Sequence, residues 1–212
     1  MRPLCLLFII PLVSGAQFPS QPPLAAGRLL VASEKLGDPN FSESVVLLLH
    51  YDDDGTLGIV INRRSEVALS KIFPDEKRVA GDPAYLGGPV EIRAVQALFR
   101  SKESKAANEK VTKVVGDVYS SGSKKIIEQL LHSRAAASQF RIYLGYAGWQ
   151  PGQLEAEIDA GAWSVMKASS ETIFDADPDS LWSRLNRLLT QQIAVNLPPA
   201  SPQEERSLQS SW

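Results

Sequence analysis

The chain has 212 residues, 44% of them hydrophobic, with 22 basic and 24 acidic side chains and a formal net charge of −2. That is enough apolar content for one domain with a substantial core, and the balanced charge supplies no basic excess to attract nucleic acid. The single cysteine, Cys5, excludes an internal disulfide.

Arg2 precedes an apolar run from Leu4 to Val13, followed by Ser14-Gly15-Ala16. A charged start, a short apolar stretch and small residues are the pattern of a secretory signal peptide over residues 1–16, cleaved after Ala16. The run is short for a membrane span, so no transmembrane segment is expected after cleavage. If the signal works, the protein is exported, periplasmic or secreted; otherwise it is cytoplasmic. Cys5 leaves with this prefix. Residues 17–26 hold several prolines and read as a linker.

Arg28 to Ser33 reads as the first strand, and Asp38-Pro39-Asn40 as a turn with Phe41 tucked inward. Val45 to Tyr51 and Gly58 to Asn62 are near-continuous apolar runs around Asp52-Asp53-Asp54-Gly55. An Asp-Gly pair between two such runs predicts a β-hairpin, and the lack of alternation places it in the middle of a sheet. A calcium loop would need further ligands downstream, so the aspartates read as a solvated turn. Leu69 to Phe73 is a short helix. Tyr85 to Val90 carries Gly87-Gly88, whose N–H groups could face an anion but which more simply mark a tight turn at a strand end. Val95 to Arg100 is a strand, Ser101 to Lys110 an exposed loop, and Val111 to Tyr119 a strand with Gly116 as a bulge. Ser120, Ser121 and Ser123 fall in a loop before a helix carrying Ile126, Ile127, Leu130 and Leu131, with His132 near its end.

Phe140 to Leu144 alternates apolar residues with Arg141 and Tyr143, as a strand does. It runs into a glycine-aromatic corner, Gly145-Tyr146-Ala147-Gly148-Trp149. A helix then begins at Pro151, buries Leu154 and Ile158, turns Gln153, Glu155, Glu157 and Asp159 elsewhere, and stops at Gly161 before Trp163. Val165 and Ile173 belong to short extended pieces. Asp177-Pro178 opens the last helix, with Leu181, Trp182, Leu185, Leu188 and Leu189 as its buried stripe and Arg184 and Arg187 toward water and its C-terminal end. Residues 196–212 turn to Pro, Ser, Glu and Gln and read as a disordered tail.

Several segments in fixed order carry a resemblance: Asp38-Pro39-Asn40-Phe41, Ser44-Val45-Val46, Gly55 to Arg63, Leu86-Gly87-Gly88-Pro89-Val90, Gly145 to Trp149 with Gly152-Gln153-Leu154-Glu155, and Gly161-Ala162-Trp163. From Gly27 to about Leu189 the chain resembles the YqgE/AlgH family. The resemblance implies one α/β domain, placed at residues 27–195, whose branched, largely antiparallel sheet curls into a small barrel surrounded by helices. It brings no catalytic residues, cofactor or metal. The family is described as uncharacterised proteins or as transcriptional regulators, the latter through alginate control. The export-like prefix departs from the family pattern, as does Arg64, where many relatives have proline.

Chemistry signals are sparse. His50 and His132 lie far apart without zinc-ligand spacing, and no GxSxG elbow is present. The expected role is a non-catalytic binding or regulatory module for a protein or small-molecule ligand. Its candidate surface comprises Asn62, Arg63, Gly87, Gly88, Tyr146, Trp149 and Gln153. Packing explains those glycines and aromatics as readily. The alternatives are an exported enzyme using Glu155, Glu157 or Asp159 in acid/base chemistry, and a DNA-associated regulator, which the charge disfavours.

Overall fold

The computed structural model describes residues 21–76, 81–101, 110–132 and 139–196. The expected export prefix, the start of the linker, the interior of the 101–110 loop and the tail from 197 fall outside the described residues. The chain divides into two compact units, Gln21–Leu188 and a second formed by residues 1–20 with 189–212. Within the second, residues 189–196 are helical.

The described residues of the first unit hold ten strands: β1 (Arg28–Ala32), β2 (Val45–Asp52), β3 (Gly55–Val60), β4 (Arg64–Ala68), β5 (Pro83–Leu86), β6 (Val90–Arg100), β7 (Thr112–Val115), β8 (Val118–Ser121), β9 (Phe140–Trp149) and β10 (Trp163–Lys167). Their order is β10-β1-β2-β3-β9-β6-β8-β7, with β5 branching from β9 and β4 pairing with β5. Every pairing is antiparallel except β5 with β9. The sheet curls into a half-barrel. At Gly27 a Cβ would lie 2.7 Å from the Val114 carbonyl oxygen, so the curl brings β7 back against the start of β1.

The β2–β3 hairpin turns at Asp53-Asp54 and sits inside the sheet, as its unbroken apolar runs require. Two core clusters result. One gathers Leu30, Val46, Leu48, Val60, Ala147, Trp149, Leu154, Trp163 and Val165. The other gathers Leu69 of α1 (Leu69–Ile72), Ala97, Phe99, Tyr119, Phe140 and Ile142 beneath Ile127 and Leu131 of α2 (Lys124–His132). Leu24, in the expected linker, packs on the first cluster, and Gln21 accepts a hydrogen bond from the Val165 N–H at 2.8 Å.

Several expectations are corrected. Val111–Tyr119 is two strands, and Gly116, at φ +55, makes the turn between them in place of a bulge. Ser120 and Ser121 end β8; the Ser121 hydroxyl donates to the Lys110 carbonyl. The bend at Gly145 does not end a strand, because β9 continues to Trp149. Arg141 and Tyr143 are buried, since β9 is covered on both faces. Helix α3 (Gln153–Asp159) starts after Pro151, with Gly152 as N-cap. Ile173 belongs to α4 (Ser170–Ile173), a helix capped by Ser169. Helix α5 (Leu181–Asn196) starts after Asp177-Pro178, with a turn at Asp179-Ser180 between them and the helix. Leu188 is 48% exposed and leaves the buried stripe. Arg184, in the first turn of α5, reaches back to the Asp175 carboxylate at 2.8 Å and the Asp177 carbonyl at 3.1 Å.

Candidate functional site

Strands β5 and β6 both pair with Tyr143 and Leu144, so they flank β9 on opposite edges. Only Gly87-Gly88-Pro89 joins them. The chain therefore crosses β9 in three residues, backbone against backbone, at Gly145. The Gly87 N–H donates to the Leu144 carbonyl at 2.7 Å, and the Gly87 carbonyl accepts from Val60 at 2.8 Å. A Cβ on Gly88 would lie 2.2 Å from the Tyr146 carbonyl, and one on Gly145 would lie 2.4 Å from the Gly88 oxygen. No side chain fits the crossing.

Beyond the crossing, β6 leaves regular register. Val90 pairs with Tyr146 and Val95 with Leu144, so residues 91–94 lie opposite Gly145 alone. Glu91 adopts φ +42, a strained value for a residue with a side chain. Ile92 stands 68% exposed, and Leu86, one residue before the crossing, 41% exposed. Glu91 and Arg93 are exposed on either side of Ile92.

Behind this face, Asn62 is buried. It accepts from the Val45 N–H at 2.8 Å and donates to the Glu43 carbonyl at 3.0 Å. Arg63 donates to the Asn40 carbonyl at 2.8 Å, the Ser42 carbonyl at 3.0 Å and the Ser44 hydroxyl at 3.1 Å. Together they staple the 40–44 loop, which carries Phe41. That ring lies 6.1 Å from Trp149 and 5.7 Å from Trp163, centre to centre. The indole N–H groups of Trp149 and Trp163 both donate to one oxygen of Glu157, at 2.9 and 2.8 Å. Gln153 donates to its other oxygen at 2.9 Å. Glu157 thus anchors two buried rings and does not simply point away from the core.

Of the seven candidate residues, Gly87, Gly88 and Tyr146 meet at the crossing, while Asn62 and Arg63 brace the 40–44 loop. Trp149 and Gln153 belong to the Glu157 cluster. Nearby, the Tyr51 hydroxyl donates to Glu155 at 2.6 Å, and this bond, with burial, raises its pKa. His50 Nε2 lies 2.6 Å from an Asp52 oxygen, at the rim of an open cleft of about 210 Å³ that Asp54, Thr56 and Trp149 also line. His132 contacts Glu76 at 3.1 Å instead of His50. Among the described residues, no three His, Cys, Asp or Glu side chains gather as a metal would require.

Sequence reasoning missed Arg141. Buried, it donates to the Ile173 carbonyl at 3.1 Å and to the Asp175 carbonyl, with its guanidinium 4.9 Å from the Tyr85 ring centre. Beside it the Tyr143 hydroxyl is wholly buried, and burial raises its pKa. An arginine alternating with apolar residues reads as solvent-facing, and only the two-sided cover of β9 reverses that.

A family model described as AlgH-like matches residues 29–194. A UPF0301 protein of Thermobifida fusca is 38% identical over 170 residues, covering 76% of this chain and 85% of that protein. One from Chlorobaculum tepidum is 33% identical over 162 residues, covering 76% and 84%. The solution structure of the AlgH protein from Pseudomonas aeruginosa superposes with a TM-score of 0.64 at 27% identity, covering 92% of this chain and 98% of that one. A crystal structure of a Corynebacterium diphtheriae protein gives a TM-score of 0.67 at 24% identity, covering 80% and 90%, a likeness of fold.

Proposed function

This chain belongs to the AlgH-like family, and from that premise we propose that it is a non-catalytic binding module. It offers a protein partner the face where Gly87–Pro89 crosses β9. The supporting observation is the β6 bulge, which holds Ile92 in water on a backbone strained at Glu91. Such strain costs roughly 1–3 kcal/mol and persists where function uses it. In the isolated chain a polar residue at position 92 would serve better. A projecting apolar tip suits a groove on another protein, whereas small-molecule sites are concave. Two of the three carboxylates that acid/base chemistry would use, Glu155 and Glu157, are occupied by Tyr51, Trp149, Trp163 and Gln153. Regulation, on this reading, works by capturing a protein and not by contacting a promoter.

The test compares immobilised wild-type protein with the I92D/L86S pair in extracts of the cells that make it. The wild type retains a partner identifiable by mass spectrometry, and the pair retains at least tenfold less. The pair's Tm stays within about 2 °C, because both side chains are surface groups. Equal retention, or retention by neither, defeats the proposal.

A further inference from the structure

Resting on that reading, we infer that the partner met by this face is a second copy of the chain, docked about a two-fold axis through Ile92. Glu91, Ile92 and Arg93 are consecutive and exposed. Neither charge has an ion-pair partner among the described residues. An acid and a base set symmetrically about an isoleucine make the tip its own complement. Two-fold rotation lays Glu91 of each copy against Arg93 of the other and stacks the two isoleucines between them. A two-fold contact uses the same patch on both subunits and closes on itself. The tip has this composition, an apolar centre inside a charged rim.

Among the described residues the edge beside it is open. Strand β6 runs from Val90 to Arg100, but β8 pairs only with Ala97–Arg100, which leaves Val90–Gln96 without a described strand on the side away from β9. Open edges invite pairing with another chain. The left-handed backbone at Glu91 interrupts that edge after one residue, so the contact ends at the tip and does not extend into a ladder of many copies. Leu86, also exposed, lies across β9 on its other edge and is outside this contact.

Sedimentation of the full chain over roughly a hundredfold range of concentration reads this directly. The wild type gives a concentration-dependent monomer–dimer equilibrium. E91R and R93E, each tested alone, oppose like charges twice and weaken self-association at least tenfold. An equimolar mixture of the two pairs again, because one chain then carries two arginines and the other two glutamates at the tip. A wild type that stays monomeric, single variants that associate like the wild type, or a mixture that fails to pair overturns the inference. If the wild type is monomeric while partner capture still depends on Ile92, the two-fold docking fails and the binding-module reading stands. If neither self-association nor capture depends on Ile92, both fail.

Discussion

Glu157 shows how one side chain sets the packing of a whole corner. Its carboxylate receives both buried indole N–H groups and the Gln153 amide, and it fixes Trp149 and Trp163 edge-on to each other with Phe41 against both. Removing the acceptor leaves two buried donors unpaired, at roughly 1–3 kcal/mol each when the loss is complete. E157A is therefore expected to lower stability by roughly 2–4 kcal/mol in urea unfolding, with tryptophan emission shifted to the red. E157Q keeps one carbonyl oxygen between the rings and should lose about 1 kcal/mol. An E157A protein within about 0.5 kcal/mol of wild type would show that water replaces the carboxylate at no cost. The two tryptophans were readable as packing surface from the sequence. Their shared acceptor was not, because a glutamate on a short helix reads as a solvent-facing charge, and only the meeting of the Trp149 and Trp163 rings, 6.1 Å apart centre to centre, gives it two donors.

The strands were legible where they obey their own period, and obscure where another element overrides it. The β2–β3 hairpin shows its ends and its burial through Asp54-Gly55 and its unbroken apolar runs. Gly145 does not, because a glycine between apolar pairs marks the end of a strand as readily as a kink within one. What keeps β9 extended there is the Gly87–Pro89 segment lying across it, a contact between residues far apart in sequence. Two glycines separate the demand of a left-handed backbone from the demand of space. Gly145 at φ +70 has the Gly88 oxygen 2.4 Å from a built Cβ, whereas Gly161 at φ +76 has open space around it. G161A should therefore pay only the left-handed backbone term, about 1–2 kcal/mol. G145A adds a backbone clash with Gly88, Val90 and Ile92 that is relieved only by parting the crossing and the start of β6 from β9, and is expected to lose roughly 3 kcal/mol or more. Chemical denaturation of the two variants side by side decides this; equal losses would mean the crossing can slide apart without penalty.

Across the whole molecule, fold class and family were legible because the signature segments lie at the crossing, the hairpin and the aromatic cluster, where backbone geometry narrows the choice of residue. The exposed tip was not, since Glu91-Ile92-Arg93 has no pattern until the bulge turns it outward. The same geometry bears on where the chain works. Gln21 and Leu24 dock on β10 and the first core cluster, so the described part of that core begins beyond the expected cleavage point after Ala16. A cleavable export signal must leave the folded core intact when it is removed. We propose that the prefix is such a signal. Cell fractionation followed by N-terminal sequencing should find the protein outside the cytoplasm and starting at Gln17. A version lacking residues 2–16 should remain in the cytoplasm, and a version lacking residues 2–24 should melt lower than that one because it also loses the Gln21 hydrogen bond and the Leu24 contact. Recovery of intact Met1 from the soluble cytoplasm would reject export while leaving the docking argument in place, because the two rest on different residues.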